Sequence, residues 1–250
     1  MFCQDCGKPI IEGQSFCAHC GAQLSDAGAA GGGRSRTPWE DRAAFGYLNG
    51  LFRTTREVLA RPTSFFRAMP VTGGLADPLL YALIIGMIGL VFLSLWDILL
   101  HDSMRDLMTA EMRAAAGKAM MDGPHSPAWA VMTPFLLMFW LFVVSGMLHL
   151  FLMMVRGVKA GFEATFRVVS YSVSPFVFLS IPFCGVLITV IWSMMLAIIG
   201  LREAHQTTGG KASFAVLFPL FFCCGLIMLL AVLMMGAVMA SFGSLMHLYK

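Results

Sequence analysis

Charge is what this chain has least of. Of its 250 residues only 12% are Asp, Glu, Lys or Arg, where a soluble domain carries about 25%. With 58% hydrophobic residues and a mean hydropathy of +0.77, too little polar surface is available to cover a soluble fold. The net charge of +3 is small, and no basic run interleaved with aromatics is present, which excludes a nucleic-acid partner. No charged segment followed by an apolar core opens the chain, so a cleavable signal peptide is not expected and internal segments must drive membrane entry. There is no Ser/His/Asp set, H-E-x-x-H, P-loop or pair of intramembrane carboxylates, so the expectation is a protein that is not an enzyme.

The seven cysteines are distributed unevenly. Cys184, Cys223 and Cys224 lie in apolar runs, where a thiol behaves as a small hydrophobe. Cys3, Cys6, Cys17 and Cys20 form two C-x-x-C pairs, each followed by a glycine (Gly7 and Gly21) that permits the positive-φ turn of a metal knuckle. Four thiolates complete a tetrahedral, closed, structural Zn2+ site. So short a segment has no apolar core, and the metal must supply its folding energy. A redox pair or disulfide clip is the competing reading, and the matched knuckles argue against it. His19 sits between two ligands and is read as a surface residue.

Four regions follow from the composition: a zinc ribbon at 1–24, a flexible Gly/Ala-rich linker at 25–38, a juxtamembrane segment at 39–70 and a membrane domain at 71–246. In the third, Leu48, Leu51, Phe52, Thr55 and Leu59 recur at helical spacing, with Arg53, Arg56 and Arg61 pointing elsewhere. That pattern fits a basic amphipathic helix lying on the bilayer, or one packed on the protein's own face.

A bilayer core of about 30 Å needs about 20 helical residues. The runs 79–100, 130–155 and 214–239 meet that length. Phe166–Leu201 would make a single helix of about 54 Å, too long for one pass, and Pro182 near its middle breaks it. Two spans, 166–181 and 183–201, result. The fold class is therefore an all-α polytopic membrane protein of five transmembrane helices with a small N-terminal four-cysteine zinc ribbon. Of the 17 Lys and Arg, all but Arg105, Arg113, Lys118 and Lys250 fall on one side if the N-terminus is cytoplasmic and the C-terminus outside. A reducing cytoplasm also keeps the ribbon's thiolates available to metal. The outer segment 102–121 has a helical pattern of its own.

Ionisable and polar groups within the spans are candidate sites, since burying them in hydrocarbon is costly. Asp97 lies near the outer end of the first span, where it serves either the interface or a function. His149 lies deeper in the second span; it hydrogen-bonds a neighbouring helix, titrates or binds metal, and the first is preferred. Tyr171, with Ser172, Ser174 and Pro175, makes the third span the most polar and the most breakable, as in a transporter site or in polar helix packing, and packing is preferred. The 20 methionines are scattered and read as core fillers rather than a copper ladder.

Several stretches carry a family resemblance: Arg61-Pro-Thr-Ser-Phe-Phe-Arg-Ala-Met-Pro70, Gly161-Phe-Glu-Ala-Thr-Phe166 and Tyr171-Ser-Val-Ser-Pro175. The longest is Trp192-Ser-Met-Met-Leu-Ala-Ile-Ile-Gly200-Leu-Arg-Glu-Ala-His205, followed by Gly210-Lys-Ala212. In order and position they resemble the Yip1 domain family of five-span membrane proteins. The N-terminal module is similar to the double-knuckle ribbons that prefix bacterial membrane proteins, which implies the bacterial inner membrane. Eukaryotic members bind small prenylated GTPases and shape membranes, and a bacterial member is not expected to meet such GTPases. The resemblance implies a membrane scaffold whose ribbon docks a protein partner, with the lipid bilayer as its other partner and a homo-oligomer left open. The alternative is a transporter or channel for a small solute or lipid, regulated by the ribbon. By the family pattern, Glu203 and His205 cap or anchor the end of the fourth span.

Overall fold

The computed structural model describes His19, residues 34–107 and residues 127–248. The chain divides into two compact units, Met1–Ser35 and Arg36–Lys250. In the first, His19 lies exposed in a turn.

The described residues of the second unit form helices joined by short turns and loops. Three short helices come first, α1 (Arg42–Phe45), α2 (Tyr47–Ala60) and α3 (Pro62–Ala68). They are followed by α4 (Ala76–Leu107), α5 (Pro127–Met154), α6 (Phe162–Tyr171), a 3-10 helix (Ser174–Ser180), α7 (Gly185–Ala204) and α8 (Gly209–Leu248). Among the described residues, three helices are long and apolar enough to cross a membrane: Ala76–Leu100 of α4, Val131–Met154 of α5, and α7. They correspond to the runs 79–100, 130–155 and 183–201, and the run 214–239 lies inside α8. At 1.5 Å per residue α4 is about 48 Å long, so its last turns, rich in charge from His101 to Asp106, extend past a 30 Å core. Of the segment expected to form an outer helix, 102–107 continues α4 and 108–121 lies outside the described residues.

The stretch 166–181 is not one helix. Helix α6 starts earlier, at Phe162, and ends at Tyr171, and the chain then tightens into the 3-10 helix. Proline explains the change: Pro175 has no N–H for the α-helical ladder. The Ser174 hydroxyl instead donates to the Tyr171 carbonyl at 2.6 Å, and a 3-10 turn absorbs the remaining donors. A turn at 181–184 then reverses into α7, with Phe183 at φ 63. The expected break at Pro182 is this turn.

The broken element lies at the centre of the unit. Helix α6 packs against α4, α5 and α7, and the 3-10 helix packs against α4 and α7. Both partners of the 3-10 helix approach its backbone through glycine. A Cβ on Gly89 of α4 would lie 2.6 Å from the Phe176 carbonyl oxygen, and one on Gly185 of α7 would collide with the Phe178 carbonyl. Two loops are cross-tied beside the start of α6. Arg156 and Gln206 both adopt positive φ after their helices, and the next N–H groups, of Gly157 and Thr207, return to Leu152 and Arg202 carbonyls at 2.8 and 3.0 Å. This is the Schellman closure of a helix end. Lys211 donates to the Arg156 carbonyl (3.1 Å) and Lys159 to the Gln206 carbonyl (2.8 Å), placing a cation at each negative helix terminus.

Helix α2 divides its faces. Gly50, Thr54 and Val58, spaced four apart, are buried against the unit. Tyr47, Leu48 and Phe52 remain exposed, with Arg53 and Arg56 beside them. One face thus packs on the protein while an apolar edge flanked by arginines stays outward.

Candidate functional site

Every residue of α6 from Ala164 to Tyr171 is buried. Polar groups on such a helix need internal partners; Thr165, Arg167 and Tyr171 find them, while the Ser170 hydroxyl has none. Two polar clusters result.

The first is centred on Arg167, whose side chain is 1% exposed, and on Glu40, 7% exposed. One guanidinium nitrogen pairs with the Glu40 carboxylate. The other donates to the Gly74 carbonyl at 2.9 Å and lies 3.8 Å from Glu163, four residues earlier on the same helix. The Gly74 N–H returns to Glu163 at 2.6 Å, a turn that its φ of 96 permits. The Tyr171 hydroxyl donates to the same Glu40 carboxylate and lies 3.1 Å from the Thr37 hydroxyl. Residues 37–42 are thereby wedged between helices. The Trp39 N–H donates to the Thr54 hydroxyl (2.9 Å), its indole N–H donates to the Asp77 carbonyl (2.8 Å), and Arg42 pairs with the Asp77 carboxylate. Below them Tyr81 meets Trp39, Tyr171 and the Ser174 hydroxyl, with ring centroids 6.1 and 5.0 Å away and an O···O distance of 2.7 Å.

The second cluster links α5, α6 and the end of α7. His205, fully buried, accepts the Ala160 N–H on Nδ1 at 3.2 Å. A neutral ring then carries its proton on Nε2 and donates it to the Thr165 hydroxyl, 2.9 Å away. Thr165 in turn donates to Nδ1 of His149 at 2.8 Å. Hydrogen-bond accounting thus assigns the Nε2–H tautomer to both rings, whose centroids are 6.0 Å apart. Two imidazoles meeting through one hydroxyl make a directed hydrogen-bond chain. Among the described residues no group of three or more His, Cys, Asp or Glu is placed to hold a metal ion.

Comparison with protein families matches residues 56–232 to the Yip1 domain. The chain belongs to the Yip1 domain family. A zinc-ribbon domain matches residues 2–24. Comparison with curated proteins and with solved structures gave no match.

Both polar clusters lie mainly within the Yip1 domain, but Thr37, Glu40 and Arg42 precede its matched region. A segment outside the domain therefore supplies the counter-charge to a buried arginine within it. Of the residues singled out from sequence, His149 and Tyr171 are brought to the same short helix, one through Thr165 and one as a member of it. Asp97 is not. It lies 16 positions after Tyr81 on α4, about 24 Å along the axis, on an exposed stretch. Glu203, at the end of α7, pairs with Arg67 of α3 at 2.9 Å and with the neighbouring Arg202 at 2.6 Å; hydrogen bonding to Glu203 raises the Arg67 pKa. Cys3, Cys6, Cys17 and Cys20 lie outside the described residues.

Arg167, Glu40 and Glu163 were missed as site residues. Arg167 entered only as a positive charge near a membrane boundary. The available signal was its position between Phe166 and Val168-Val169, inside an apolar run, with Glu163 at i−4. Glu40 carries no comparable local mark, since its partner is 127 residues away.

Proposed function

We propose that this membrane protein of the Yip1 class is a non-enzymatic scaffold that presents a zinc ribbon to a protein partner. Its five passes are α4, α5, α6 with the 3-10 helix, α7 and α8. Helix α6 and the 3-10 helix together rise about 29 Å at 1.5 and 2.0 Å per residue, enough for one broken crossing. The N-terminus is cytoplasmic, the C-terminus is outside, and the membrane is the bacterial inner membrane, as the Lys and Arg distribution supports. Cys3, Cys6, Cys17 and Cys20 hold a structural Zn2+, supported by the ribbon match and by their knuckle spacing.

One observation carries the reading. The segment that joins the ribbon to the Yip1 domain is wedged into the domain, where Glu40 pairs with the buried Arg167 and accepts from Tyr171, and Trp39 is tied to Thr54. A fixed anchoring point is what a platform for a partner needs. Crosslinking from the ribbon in native membranes, followed by mass spectrometry, tests this: Cys3→Ser, Cys17→Ser abolishes capture of the partner and leaves the membrane body's unfolding unchanged. Solute flux in proteoliposomes that depends on Asp97, His149 or Tyr171 would instead establish a transporter.

A further inference from the structure

A cavity of about 510 Å³ lies among α4, α5, α6, the 3-10 helix, α7 and α8, within the size range of about 300–1,000 Å³ seen for ligand pockets. A second cavity of about 340 Å³ shares Leu90, Trp140 and Phe176 with it, so the two adjoin. Together they follow α5 from Thr133 to Met147, about 21 Å of helix.

The space has an identifiable source. Thr189, Ser193 and Ala197, four residues apart on α7, give the lining one face of small side chains. The Thr189 hydroxyl folds back onto the Pro175 carbonyl at 3.0 Å. The Ser193 and Ser172 hydroxyls, also in the lining, have no hydrogen-bond partner, so these positions serve for their small volume. Apart from Thr133 the rest of the lining is apolar, and so are the outward faces of the surrounding helices, for example Val91, Phe139, Val143, Leu187 and Ile191.

We propose that this track holds one acyl chain of a bilayer phospholipid. Three observations select that occupant. Three of the enclosing helices, α4, α5 and α7, have bilayer-crossing length and apolar outward faces, so the phase around the cavity is hydrocarbon. The track is elongated, about 21 Å, and a lipid tail occupies about half of a 30 Å core. Its lining offers almost nothing for a charged or strongly polar solute to pair with. The chain lies between the broken third element and its neighbours, where a flexible hydrocarbon tail fills what small side chains leave open. This does not rest on the scaffold reading, since either a scaffold or a transporter could hold such a lipid.

The test uses the full chain in phosphatidylcholine vesicles containing a phosphatidylcholine with a diazirine in its acyl tail. After irradiation, label is mapped by peptide mass spectrometry. The expected result is label concentrated on Met147, Leu148 and Phe176, falling at least fivefold in a Ser193→Leu, Ala197→Leu variant that fills the track. Label on the outward residues Phe139 and Met153 stays unchanged. Val190→Trp, at a half-exposed lining position, gives the same fall if the double variant does not fold. Lining residues labelled no more than outward ones, or label indifferent to both variants, overturns the proposal.

Discussion

The Arg167–Glu40 pair is the feature whose removal should cost most. Both side chains are almost wholly buried, at 1% and 7% exposure. Removing one partner of such a pair strands a charge and costs about 3–5 kcal/mol. The two halves are not equivalent. Arg167→Met leaves the Glu40 carboxylate with only the Tyr171 hydroxyl and frees the Gly74 carbonyl, so the full loss is expected. Glu40→Gln keeps a carbonyl oxygen that both Arg167 and Tyr171 can donate to, and should lose only the ionic part, about 1.5–3 kcal/mol. In a domain of 150–250 residues each kcal/mol moves Tm by about 2–4 °C. Thermal unfolding in detergent should therefore fall by roughly 6–20 °C for Arg167→Met and by roughly 3–12 °C for Glu40→Gln. The double variant should destabilise less than the sum of the two. Glu40→Gln should also open the chain at Arg36 and Arg42 to trypsin. Additivity within about 0.5 kcal/mol, or unchanged cleavage, would refute the claim that this pair fixes the segment after the ribbon.

Three further outcomes are expected. Thr165→Val removes the hydroxyl between His149 and His205 and should cost about 1–3 kcal/mol; adding His149→Ala to it should cost less than His149→Ala alone, by the same unfolding assay. Gly185→Ala drives a methyl into the Phe178 carbonyl and should cost about 1–3 kcal/mol, whereas Gly210→Ala, where a Cβ meets nothing within 4 Å, should be tolerated. Elemental analysis should find one zinc per chain, absent in a Cys3→Ser, Cys17→Ser variant; equal zinc in both would remove the ribbon's metal from the account.

The long helices were legible because only length and apolarity were needed. Runs of some 20 apolar residues define α4, α5 and α7 whatever packs beside them. The third element was harder. Its excess length and Pro182 indicated a break, and the turn at 181–184 is that break. The switch to a 3-10 helix follows from Pro175, whose missing N–H leaves the Tyr171 carbonyl to the Ser174 hydroxyl, and the length argument marked only the later proline. The polar hub escaped for a related reason. A charge count assigns Arg167 a sign and a side of the membrane but not its burial, which depends on Glu40 far along the chain. His149, deep in an apolar run, had to find a hydrogen-bond partner, and the partner is a threonine on the next helix. Asp97 had the same sequence-level claim to interest as Tyr171, yet its exposed position on α4 separates it from both clusters.

The central claim is that the ribbon docks a partner from a point anchored in the Yip1 domain. The most direct measurement places a photo-crosslinking residue at His19 of the full chain in native membranes and compares wild type with Cys3→Ser, Cys17→Ser. The account predicts one dominant crosslinked protein in the wild type, lost in the variant, with the unfolding temperature of the membrane body unchanged. The same crosslinks in both, or none in either alongside a solute flux abolished by Tyr171→Phe, would contradict it.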